Sequence, residues 1–237
     1  MQITVNAWAA YIESLRKVHA GAAALMTKYL ETHDWWLNEQ TRQEAVAYAY
    51  AISTRYGEAA TAVACDFFDT IALDSLGASA VPAVPAATAS YGEVAKAVYG
   101  TMKTDNVVVI AGAVERLVKL AGVDTVMENA IRDGAEWAWI PRGDTCAFCI
   151  ALASRGWQRA SRTVMRGGHA EHIHAHCDCT FAIRFDGDGD VEGYEPQKYL
   201  RMYYDAPLDG DKPTGKNRIN AMRRQMYADH GTEEAFV

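Results

Sequence analysis

TRQEAVAYAYAISTRYGEAATAVACDFFDTIALDSL, residues 41–76, decides the fold class. Val46, Ala49, Ile52, Tyr56, Ala60, Val63, Phe67 and Ile71 recur at steps of three and four. That period gathers them on one face and predicts a single long amphipathic helix. Thr41 is the expected N-cap, and Glu44 three residues on completes a capping box. Gly57 inside the run costs about 1 kcal/mol relative to Ala, which the rest of the stripe can absorb.

Upstream, Trp8, Ile12, Leu15, Val18, Ala22, Leu25 and Tyr29 step in the same way, predicting a partner helix over 5–33. His33-Asp34-Trp35-Trp36 turns the chain between the two. Downstream, Gly77 to Ala89, with Pro82 and Pro85 among small residues, reads as a loop or linker. Ser90 should cap a shorter helix through Met102. Asp105 to Ala121 is read as a helix, with a buried strand at Val107 to Ala111 as the alternative, and Asp124 starts a further helix to about Trp137. After Pro141 the helical period fades. Thr180 to Phe185 alternates like a strand with one buried face, Asp186-Gly187-Asp188-Gly189 turns, and a charged tail ends in a short helix around 219–227. The expectation is an α+β chain, mainly α. A long-helix bundle over 1–137, with 77–89 as the candidate break, is followed by a small zinc-knuckle α/β module over 138–185 and a C-terminal tail over 186–237.

Composition narrows the function. The chain has 237 residues, 50% of them hydrophobic and 22% charged, with a net charge of -7. This is the balance of a folded domain and not of a disordered chain. The acidic excess argues against a surface devoted to nucleic acid, which would be basic. No apolar run approaches the roughly 20 residues of a membrane span. The start, MQITVNAWAAYIESLRK, has the pattern of an amphipathic helix and not of a secretory signal. Five cysteines, an odd number, argue against a disulfide framework.

Four of those cysteines cluster. Cys146-Ala147-Phe148-Cys149 is a C-x-x-C knuckle, and His174-Ala175-His176-Cys177-Asp178-Cys179 follows after a gap of 24 residues. Two thiolates at this spacing can share a tetrahedral ion, and thiolate with imidazole selects zinc over magnesium or calcium. The preferred ligands are Cys146, Cys149, His174 and either Cys177 or Cys179. The last two are two apart, so in an extended strand both side chains fall on one face. The plain alternative is a set of reduced, buried cysteines in a small core. His169 and His172, beside Gly167-Gly168, read as loop residues. Trp137, Trp139 and Trp157 bracket the knuckle and are expected to pack over it.

Other chemistries fit less well. Nucleobase deaminases place H-x-E before P-C-x-x-C, whereas here His169-Ala170-Glu171 comes after the cysteines and Thr145 precedes the first of them. The H-E-x-x-H of zinc proteases is absent. Asp186, Asp188 and Asp190 start like a calcium loop, but Val191 and Gln197 hold the positions that need Gly and Glu. Ser154 has no readable base partner, and no catalytic residue is assigned. Arg142, Arg155, Arg159, Arg162 and Arg166 around the knuckle, and Lys216, Arg218, Arg223 and Arg224 in the tail, can meet phosphate or an acidic protein, or be solvated faces.

The run Trp139-Ile140-Pro141-Arg142-Gly143-Asp144-Thr145-Cys146-Ala147-Phe148-Cys149, then Leu152-Ala153-Ser154-Arg155-Gly156, then His174 to Cys179, resembles the phage Mu F-like minor capsid, or head-morphogenesis, proteins. The branch in phages of actinobacteria is the nearest pattern, and the likeness covers about 137–185. It implies a virion protein made in the host cytoplasm, in few copies, in the inner head near the portal, and it implies no reaction. The implied partners are portal and capsid proteins, with packaged DNA reached through the Arg/Lys patches. No membrane and no small-molecule substrate is implied. Some relatives are labelled capsid maturation proteases, the alternative reading. A zinc-dependent nuclease or toxin ranks below it, because such domains are appended at the C-terminus and the residues after Phe185 are too few. Trp35, Trp36, Tyr48 and Tyr50 lie off the main stripes, so the N-terminal region is expected to carry docking to the portal.

Overall fold

Seven α-helices and three short strands are present among the residues described by the computed structural model, which are 5–142, 145–162, 179–185, 187, 189–208, 210 and 212–230. The chain divides into two units: one runs through Asp133, and a second begins at Gly134 and includes the C-terminal helices.

The first unit is helical. α1 (Val5–Thr32), α2 (Glu39–Leu76), α3 (Tyr91–Met102) and α4 (Val107–Asp133) make it up, and α2 packs against each of the other three. That central position explains why α2 is buried on more than one side, with Ser53, Gly57, Thr61, Ala64, Phe68 and Ala72 inside as well as most of the predicted face, of which Tyr56 and Val63 are only partly buried. Small residues let the helices approach. A Cβ at Gly122 of α4 would lie 3.4 Å from the carbonyl oxygen of Ala60 on α2. One at Gly57 would lie 2.8 Å from Thr88 Cγ2, closer than atoms can come.

α1 forms where the period places it, but its most buried line is Tyr11, Leu15, His19, Ala22, Met26 and Leu30. This is the expected stripe turned by about one residue, with Ile12, Val18, Leu25 and Tyr29 on its shoulder. Tyr11 stacks on Phe67 of α2 with ring centroids 4.1 Å apart.

Three local expectations are corrected. The N-cap of α2 is Asn38 and not Thr41: Asn38 Oδ1 accepts from the Thr41 amide at 3.0 Å, and Thr41 Oγ1 accepts from the Asn38 amide at 3.2 Å. Asn is the stronger cap, and Thr41 closes the reciprocal box from inside the first turn. The helices expected on either side of Gly122 are one continuous α4, because Asp124 stands in mid-helix and Gly122 makes a packing contact. Asn106 starts α4 by accepting from the amides of Val108 (2.9 Å) and Val109 (3.3 Å), so Val107 to Ala111 forms no strand. Lastly, α4 stops at Asp133 and Gly134 turns left-handed (φ 72°), which puts Trp137 in a strand.

The proline-containing loop is no loose linker. After a 3₁₀ turn at Gly77–Ser79 it runs extended against α2 and α4. Asp69 accepts from the Ala83 amide (2.6 Å) and Thr125 from the Ala86 amide (3.0 Å). Asn129 both accepts from the Val84 amide (2.9 Å) and donates to the Val84 carbonyl (2.8 Å). Arg132 donates to the carbonyls of Pro82 and Val81. An extended backbone cannot satisfy itself, and these side chains replace a neighbouring strand.

The second unit is built on an antiparallel sheet of order β2-β1-β3, from β1 (Glu136–Ile140), β2 (Gln158–Arg159) and β3 (Thr180–Arg184). β1 pairs with β3 from Glu136↔Arg184 to Ile140↔Thr180. Trp137 and Trp139 are buried, and Phe181 meets Trp137 edge-on at 5.6 Å. α5 (Ala147–Ala153), α6 (Pro196–Asp205) and α7 (Gly215–His230) share a small core of Ala147, Ile150, Ala151, Ala206, Ala221 and Met222. The tail is therefore more helical than its charge suggested. Arg218 lies over the Tyr204 ring at 4.7 Å, where it packs instead of standing clear as part of a basic patch.

Candidate metal centre

The chain leaves β1 at Ile140, and Pro141 ends the ladder. Cys146 then adopts extended backbone (φ -74°, ψ 160°) as the N-cap of α5, and Cys149 sits in the first helical turn. An N-cap residue and the third residue of the helix it opens lie close together, which brings the two thiols to one end of α5. Amides there have no intrahelical acceptor.

The third described cysteine comes from the other side of the sheet. Cys179 immediately precedes β3, and pairing of Thr180 with Ile140 sets it beside the segment that leaves β1. Its sulfur lies 3.9 Å from the Arg142 carbonyl and 4.0 Å from the Thr145 hydroxyl, so it abuts the chain leading into Cys146. Cys149 and Cys179 are buried and Cys146 is partly buried. No disulfide joins Cys65, Cys146, Cys149 and Cys179 to one another. Tyr199 of α6 lies nearby: burial first, then the neighbouring Cys179 and Glu195, raises its phenol above the usual range. Nothing local in the sequence links Tyr199 to this place; it arrives through the packing of α6, whereas Thr145 adjoins Cys146 in the chain and meets Cys179 through the register of β3.

In kind, the donors suit a thiolate-bound ion: three sulfurs, two of them at the start of α5. Among the described residues no three His, Cys, Asp or Glu side chains form a group that could hold a metal. His174 and Cys177, the other two expected ligands, lie outside the described residues, as do His169, His172, Asp186 and Asp188.

Trp157 departs from expectation. Its ring carries the Arg184 guanidinium at 4.4 Å and its indole N–H donates to Asp190 at 3.0 Å. Arg184 pairs with Glu136, at the far end of β3 from Thr180. Four residue steps of strand separate those ends, roughly 13 Å. Trp157 thus covers the end of the sheet away from the cysteines. Ser154 donates its hydroxyl to the Ala151 carbonyl at 2.9 Å, closing the last turn of α5. Arg142, Arg155, Arg159 and Arg162 are exposed. No helix among the described residues is long and apolar enough to cross a membrane.

No curated protein and no solved structure is found to match the chain. A family model described as "VG15 protein" matches residues 2–206, spanning the whole helical unit and the sheet with its cysteines. With most of its length so matched, the chain belongs to the VG15 family, a phage-associated protein family.

Proposed function

We propose that this protein is a minor head component of a tailed phage, docked near the portal and made in the host cytoplasm, with a structural zinc in its smaller unit. Membership of a phage-associated family supports the first part. The observation that carries the second is the meeting of Cys179 with the turn that presents Cys146 and Cys149. In this reading Cys146, Cys149, His174 and one of Cys177 or Cys179 hold the ion. The ion ties the start of α5 to the start of β3 and adds folding free energy to the smaller unit. Ser154 is given no catalytic role, since its hydroxyl is committed to the backbone of its own helix. The exposed arginines serve contacts with protein or packaged DNA.

The experiment is co-expression of the full chain with the portal and major capsid proteins of its phage. The reading expects stable co-purification with the portal and about one zinc per chain by elemental analysis. Ser154→Ala should leave capsid-protein processing unchanged, while Cys146→Ser should abolish head assembly by unfolding the smaller unit. A block of processing by a stably folded Ser154→Ala protein would favour the maturation protease instead.

A further inference from the structure

At the end of the helical unit where α1 turns into α2, an open cleft of about 680 Å³ lies between that turn and the end of α3. Trp35, Trp36 and Met102 supply its apolar walls. Trp35 is buried, yet its indole N–H has no acceptor. Trp36 meets it edge-on at 5.8 Å and is 54% exposed, and the adjacent Leu37 is 67% exposed. Leaving two such side chains in water is unfavourable, and tryptophan is the residue type that dominates binding energy at protein interfaces.

The charges at the cleft are of unequal availability. The Glu39 carboxylate is occupied: it accepts from Tyr99 Oη at 3.0 Å and from Arg42 Nε at 3.3 Å. Lys103 lines the cleft and makes no ion pair among the described residues. The groups left to a ligand are therefore mostly donors: the Lys103 ammonium and the terminal nitrogens of Arg42. Asp105, held in a left-handed turn (φ 51°), is the opposing carboxylate on the wall. A nucleic-acid strand needs a run of cations along its backbone, whereas this cleft offers two beside an apolar wall of Trp35, Trp36 and Met102, so a phosphate backbone is a poor match.

We propose that this cleft binds an acidic segment of a partner protein, which inserts an aromatic or aliphatic side chain against Trp35 and Trp36 and sets its carboxylates on Lys103 and Arg42. This deepens the docking role proposed above by giving it a surface and a chemistry, and it holds whichever head protein supplies the segment.

The test uses the full chain labelled with ¹⁵N. The six tryptophans give separate indole signals, and Trp35→Phe and Trp36→Phe assign two of them. The probes are a blocked peptide of about 12 residues of Glu, Ser and Gly with one central Phe-Leu pair, its copy with Lys for every Glu, and an oligothymidylate of about 10 nucleotides. The Glu peptide should move both indole signals, and the Lys copy should bind about threefold to tenfold more weakly. Lys103→Glu, at an exposed site that leaves the fold intact, should erase or reverse that preference. No movement of either signal up to about 1 mM peptide, equal binding of the two peptides, or tighter binding of the oligonucleotide would each overturn the proposal. Absence of peptide binding alongside intact co-purification with the portal would remove the cleft and leave the docking role standing.

Discussion

His19 sits in mid-α1 among core residues, buried, with its Nε2 unpartnered. Burial, and then the Lys119 charge, lower its pKa from 6.5 to about 3. The unfolded chain therefore takes up a proton below about pH 6.5 that the folded chain refuses, and stability falls as pH drops through that window. At about 1.4 kcal/mol for each pH step, roughly 2 kcal/mol is lost between pH 6.5 and 5. Asp124 of α4 works in the opposite sense. Burial, then Glu128 and Glu93, raise its pKa from 3.8 to about 6. Here the folded chain holds a proton that the unfolded chain has released, so stability falls as pH rises from about 4 to 6 and returns on acidification. Between pH 7 and 5 that return is at most about 1.4 kcal/mol, because Asp124 keeps part of its surface in water. The two trends partly offset each other, and the native protein should be about 1 kcal/mol less stable at pH 5 than at pH 7 through these groups. His19→Leu should uncover the Asp124 trend, becoming about 1 kcal/mol more stable at pH 5 than at pH 7. Asp124→Asn should uncover the His19 trend, becoming about 2 kcal/mol less stable at pH 5. Urea unfolding followed by far-UV circular dichroism reads both, and other titrating groups cancel between variants. A His19→Leu protein with the pH slope of the native chain would refute the reasoning.

Asn129→Leu removes both bonds to Val84 and should cost about 1–2 kcal/mol, with amide-exchange protection at Val84 lost while α4 stays protected. Asn38→Ala removes the cap of α2 and should cost about 1 kcal/mol in the same unfolding assay, whereas Glu44→Ala, outside the box, should cost little. Chelation of the purified protein should make the segment 141–185 sensitive to protease and leave α1 to α4 resistant; equal sensitivity with and without chelator would argue that no ion supports the smaller unit.

The long helices were legible because their apolar residues repeat at 3.6 over many turns, as from Val46 to Ile71. Thr180 to Arg184 was legible as a strand, but it is buried on both faces where the sequence suggested one, because consecutive residues from Thr180 to Ile183 are all inside. What failed to show depends on partners distant in sequence. Gly122 and Asp124 look like a helix break until Ala60 is seen to need a neighbour without a side chain. The run after Gly77 has linker composition, and only the carboxamide, carboxylate and guanidinium groups of Asn129, Asp69 and Arg132 make it a fixed strap. The spacing and type of the cysteines raise the metal reading, while the approach of Cys179 to Arg142 and Thr145, and of Tyr199 to Cys179, follows from strand register and helix packing. The cleft beside Trp35 had one signal in the sequence, aromatic residues off the main stripes. Of the four so marked, Trp35 is buried, Tyr48 stacks on Tyr29 at 4.3 Å, and Trp36 and Tyr50 reach the surface.

Quantitative mass spectrometry of purified, DNA-filled heads of the phage that encodes this chain tests the central claim most directly. A portal-docked minor head component should be present in every preparation, at a copy number close to that of the portal protein and far below that of the major capsid protein. Its absence from heads assembled in its presence, or abundance matching the major capsid protein, would contradict the account.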